Sequence, residues 1–167
     1  LPRLVKESEE IPRSTGRKYA HRGIYSQMET WAKTGELIRG SGKEFDLVVK
    51  HRTDVLIHEL TPNWDEIYQS NALYVSADNA MGWNVGTHGE VHGGICELMW
   101  ICRPEIHYRI VDIFNNVVRY SKEIQSCHAE KLFGHHIKQL GIEVRTFPCK
   151  LSFPDISKDK YLFMDEM

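Results

Sequence analysis

Apolar positions fall along this chain in short bursts, some at helical spacing and others at the spacing of strands. Met28, Trp31 and Ala32 keep an i, i+3, i+4 rhythm behind Ser26, with Glu29 three residues after it. That capping pair predicts a helix over 26–33, with Gly35 as its stop. Arg17 to Arg22 reads as a short strand closed by Gly23, and 36–43 as a loop around Gly40-Ser41-Gly42. Two runs of strand character follow at 45–49 and 55–60, split by the polar His51-Arg52-Thr53-Asp54. Pro62 to Glu66 predicts a turn opening one or two turns of helix.

Further on, Ala72-Leu73-Tyr74-Val75-Ser76 predicts a strand, and the polar Ser76-Ala77-Asp78-Asn79 a helix cap after it. Five glycines between 82 and 94 predict a loop or weak helix, and 95–101 a strongly apolar strand closed by Pro104. Ile110, Ile113, Phe114, Val117 and Val118 fit one helical face better than a strand. Ile142, Val144 and Thr146 predict a strand ahead of Pro148-Cys149, and 161–164 a last one. Residues 1–16 are polar and read as an irregular arm. With no internal repeat or linker, the chain reads as one α+β domain over 1–167.

Composition narrows the function classes. At 41% hydrophobic and 26% charged, the chain has an ordinary globular make-up rather than a disordered one. A net charge of -2 gives no reason to expect a nucleic-acid partner, and no apolar run is long enough for a membrane span. The chain starts at Leu1 without a basic-then-apolar leader, and so reads as a processed or trimmed form of something longer. Cys96, Cys102, Cys127 and Cys149 contain no Cys-x-x-Cys, so no structural metal site is expected. Their even number allows two disulfides in a secreted protein.

Candidate chemistry gathers between Cys127 and Cys149. His128-Ala129-Glu130 followed by Pro148-Cys149 matches much of a zinc deaminase pattern, in which the His and two Cys bind metal and the Glu moves protons. The second cysteine of that pattern is Ser152 here, which leaves the ligand set incomplete. The second chemistry is ADP-ribosyl transfer. It needs an arginine for the phosphates of NAD, a serine closing a strand, and a glutamate that grips a ribose hydroxyl as nicotinamide leaves. Arg22, Ser76 and Glu130 occur in that order, 54 residues apart in each step, which predicts three strands of one sheet. Glu130 between apolar neighbours has no comfortable structural role on a half-buried strand.

On these residues the chain resembles the A subunits of cholera toxin and heat-labile enterotoxin and, more loosely, pertussis toxin. Arg22, the helix after it with Leu37-Ile38-Arg39-Gly40, Tyr74-Val75-Ser76, and Glu130 with Gly134, Ile137, Ile142 and Val144 carry the likeness. It implies an ADP-ribosyltransferase-like split β-sandwich with an NAD cleft and short flanking helices. It also implies mono-ADP-ribosyl transfer from NAD to a host protein side chain, by a secreted toxin or effector acting inside a host cell. Arg22, His51, Ser76 and Glu130 would bind NAD, with Arg22, Ser76, His128 and Glu130 catalytic; a delivery subunit is left open.

Two departures mark the match. Ser76-Ala77-Asp78 keeps only the first serine of the family's Ser-Thr-Ser. His128 stands where the family has Glu or Gln, on the acceptor side. They support a runner-up, a catalytically inactive effector of the same fold that acts by binding. His88-Gly89-Glu90-Val91-His92 lacks the spacing of a metalloprotease motif, and Trp83 reads as core packing before nicotinamide stacking.

Overall fold

Residues 20–76, 90–91, 94–95 and 97–152 are described in this computed structural model. The first element is a long helix, α1 (Ala20–Gly40), which buries Tyr25, Met28 and Trp31 along one stripe. The predicted helix thus exists but is much longer than 26–33. Tyr25 carries the stripe one turn further back, so residues 20–22, expected in a strand, are helical. Gly35, the expected stop, lies inside the helix and packs against Val111, where a Cβ would stand 2.6 Å from Val111 Cγ2. The stop comes instead at Gly40. There Ser41 N–H donates to Leu37 O at 3.0 Å, and Gly42 takes φ +64.

Strands β1 (Val48–His51) and β2 (Leu56–Leu60) follow, then the short α2 (Trp64–Gln69) capped by the Asn63 side chain, then β3 (Leu73–Ser76). Two short strands, β4 (Glu90–Val91) and β5 (Gly94–Ile95), form a small ribbon. The apolar run predicted as one strand over 95–101 is broken: β6 (Met99–Cys102) starts only after Glu97 and Leu98. Pro104 does more than close that strand. It occupies the first turn of α3 (Pro104–Val111), where its missing N–H costs nothing. A 3-10 turn (Asp112–Asn115) and α4 (Val117–Glu123) complete the predicted helical face. Helix α5 (Ala129–Leu140) ends on Gly141 at φ +63, and β7 (Val144–Phe147) and β8 (Cys149–Ser152) follow.

The main sheet is mixed, in the order β1-β6-β3-β7, antiparallel except for the parallel β3/β7 pair. Side-chain alternation divides the core in two. Leu73, Val75, Trp100 and Cys102 face the helices, packing with Met28, Trp31, Ile110, Leu132 and Phe133. Tyr74, Met99, Ile101 and Phe147 face the other way, onto Ile67 of α2, Val55 and Leu151. The fold is α+β, a small mixed sheet with several helices. Among the described residues no helix is long and apolar enough to cross a membrane.

Candidate functional site

The residues singled out in the sequence do not meet on one sheet. Arg22 falls in the first turns of α1 rather than on a strand. His51 closes β1. Its Nε2 is buried with no hydrogen-bond partner, and burial followed by the Lys50 charge lowers its pKa. Ser76 closes β3, as predicted, and is 1% exposed. His128 is the exposed N-cap residue of α5, with extended backbone and its N–H donating to Ser126 Oγ at 3.3 Å. Glu130 is partly exposed in the first turn of that helix, where a strand was predicted. The reason is local: Ala129, Leu132, Phe133, His136 and Ile137 bury one helical stripe, which outweighs any strand reading of the same residues.

The pleat then separates Ser76 from α5. Val75 belongs to the helix-facing core together with Ala129 and Leu132 of α5. Ser76, its neighbour, shares the opposite face with Tyr74 and Phe147. One side chain therefore leaves each surface of the sheet, and the serine is aimed away from the helix that carries Glu130.

The deaminase pattern fares differently. The order helix, strand, Cys149 is present, but Cys149 opens strand β8, and among the described residues no three His, Cys, Asp or Glu side chains group as metal donors. Cys102 is a buried free thiol, raised to about 12 by burial and then by the Glu105 charge, so the four cysteines do not make two bridges. Trp83, His88, His92 and Cys96 lie outside the described residues.

Two features were not anticipated. The first is an ionic cluster at the end of the β1/β6 pair. Glu97 is 1% exposed, yet its carboxylate accepts from Lys50 Nζ at 3.1 Å and from Arg52 Nη1 at 2.9 Å; Lys50 Nζ also donates to the Glu97 carbonyl. Arg52 in turn grips Asp54, and that hydrogen-bonded pairing holds the Asp54 carboxyl below its ordinary range. The Lys50 ammonium also stands 4.5 Å from the Trp100 ring centre and 4.9 Å from that of Trp31. Two signals for it were present in the chain. One is a lone carboxylate in the apolar run from Ile95 to Ile101, and the other a polar break at His51-Arg52-Thr53-Asp54. Next to the cluster, Trp100 Nε1 and both ring nitrogens of His107 are buried without a partner.

The second is a cleft of about 610 Å³ between α1 and the segment from α3 through the 3-10 turn, with Leu140 also on its wall. It is within the size range of small-molecule sites. Arg39 from α1 lies over the Tyr108 ring at 4.9 Å, and Arg109 Nη2 donates to Leu140 O at 2.7 Å. None of His51, Ser76, His128 and Glu130 lines it. Nothing in the sequence pointed here, because its walls come from residues 29–40 and 108–115, which only packing brings together. Comparison of the chain with protein-family models, curated proteins and solved structures finds no match.

Proposed function

We propose that this chain acts by binding, as a catalytically silent domain, rather than by transferring ADP-ribose from NAD. The observation that carries this reading is the opposed orientation of Ser76 and α5: a serine on the far face of the sheet is poorly set to orient Glu130. Helical backbone at Arg22 and Glu130, and His128 in the acceptor-side position, add to it. The cleft between α1 and α3 offers a recess of ligand size whose walls include none of Ser76, His128 and Glu130.

The second reading remains mono-ADP-ribosyl transfer from NAD to a host protein side chain, by an enterotoxin-like secreted effector with a split β-sandwich. What favours it is Glu130 itself, a partly exposed carboxylate at the start of α5, and a main sheet accompanied by the separate β2/β8 ribbon. Incubation with NAD decides between the two readings. Binding alone predicts neither nicotinamide release nor a change in melting temperature on adding NAD. Nicotinamide release that disappears in Glu130→Gln overturns it in favour of the transferase.

A further inference from the structure

We propose that the cleft between α1 and α3 is a site for a free α-amino acid with an apolar side chain, held as its zwitterion. This rests on the reading of the chain as a binding domain and names the ligand class for its recess. The cleft walls carry charge of both signs that the protein leaves uncompensated. The Arg39 guanidinium makes no ion pair or hydrogen bond among the described residues and is spread over the Tyr108 ring. The Arg109 guanidinium makes one bond, to the Leu140 carbonyl, and no ion pair among the described residues. On the acidic side Asp112 accepts only from the neutral amides of Asn115, at 2.7 Å, and Asn116, at 3.4 Å. Glu36 likewise has no cationic partner among the described residues.

By contrast, Glu29 and Lys33 in the same cleft neutralise each other at 2.9 Å. Two guanidiniums and two carboxylates therefore share one recess without pairing across it. A ligand with a single charge would be attracted by one pair and repelled by the other. A zwitterion matches both, its carboxylate forked by an arginine and its ammonium set against Glu36 or Asp112. Phe114 supplies apolar wall for the side chain, beside Tyr108. The recess is open enough for a residue-sized molecule and too mixed in polarity for a purely apolar one.

Calorimetric titration with phenylalanine, phenylacetate and phenethylamine tests this. Phenylalanine should bind saturably and about 10-fold more tightly than either analogue, since each lacks one charge-assisted contact. Arg39→Gln should weaken phenylalanine about 10-fold while leaving phenethylamine unchanged, and Glu36→Gln should weaken phenylalanine similarly while leaving phenylacetate unchanged. Both positions are exposed on α1, so the variants should keep the wild-type far-ultraviolet circular dichroism. Three probes of equal affinity, no saturation with any, or full phenylalanine affinity in Arg39→Gln overturns the proposal. Nicotinamide release dependent on Glu130 would overturn the binding-only reading, whereas the cleft stands or falls on these titrations alone.

Discussion

Gly94 and Glu130 meet backbone to backbone: a Cβ on Gly94 would run into the carbonyl group of Glu130. One turn along α5, Gly134 continues the notch, where a Cβ would lie 3.1 Å from Gly94 Cα. The start of α5, and with it Glu130, is therefore seated on β5 by two glycines. Backbone cannot rotate out of the way as a side chain can. Gly94→Ala should destabilise the fold by about 2–3 kcal/mol. Gly23→Ala, on the exposed side of α1 with open space around it, should instead gain about 0.5–1 kcal/mol. Urea unfolding of the two variants checks the contrast, and equal midpoints would show that the notch has no such role.

Gly35 is a different kind of close approach, because the atom it meets belongs to a side chain. Gly35→Ala should cost about 1–3 kcal/mol by pressing on Val111 Cγ2, even though alanine is the better helix former. Val111→Ala alone should cost a similar amount through the cavity it leaves. The double variant should recover much of the loss, giving a coupling of about 1 kcal/mol or more in a double-mutant cycle. Strict additivity would mean that α1 and α3 do not touch there.

Glu97 is the buried anchor of the ionic cluster, and removing its charge takes away the carboxylate that Lys50 and Arg52 share. Glu97→Gln should destabilise by about 3 kcal/mol or more. Asp54→Asn breaks an exposed pair with the same Arg52 and should cost less than about 1 kcal/mol. Thermal denaturation of both variants at low and high salt checks the ordering. Only the Asp54 pair should weaken noticeably as salt rises.

His107 makes stability fall in acid. Burial, and secondarily the Arg39 charge, lower its pKa from 6.5 to about 4. Above pH 6.5 the ring is neutral in both the folded and unfolded chains, and its contribution is fully present. As pH falls through the interval down to about 4, the unfolded chain takes up a proton that the folded one refuses. Stability drops by about 3 kcal/mol over that window and then levels off. His136 and His51, also lowered mainly by burial, push the same way, so the wild-type slope is a sum. His107→Leu should remove this residue's part of the slope. It should also gain about 1 kcal/mol at neutral pH, because it replaces two unpartnered nitrogens with methyl groups. Unfolding free energies across the pH range test both, and parallel curves for variant and wild type would refute the assignment.

Much of the fold was legible in short-range pattern. The strands at 73–76 and 144–147, the turn into α2, and the helical face from Ile110 to Val118 follow from periodicity that neighbouring residues carry themselves. The failures came where a local signal served a distant contact. Gly35 looks like a helix stop and is a packing notch for Val111. Glu97 sits in an apolar run and yet lies outside both β5 and β6, its carboxylate turned toward Lys50 and Arg52. Glu130 reads as a strand residue until the stripe from Ala129 to Ile137 is counted at helical spacing.

The candidate chemistry was the least legible part. Arg22, Ser76 and Glu130 are evenly spaced in the chain, but equal spacing says nothing about which side of a sheet each one leaves from. The sequence by itself determined an α+β make-up, several of the strands and the buried stripes of α1 and of the segment from Ile110 to Val118, because period 2 and period 3.6 are properties of neighbouring residues. Only the tertiary structure decided that Ser76 and α5 belong to opposite faces, that Glu97 is held by two cations, and that α1 and α3 enclose a charged cleft. Those facts depend on which surfaces are pressed together. Burial area and charge pairing settle that across the whole chain, between residues that local pattern cannot relate.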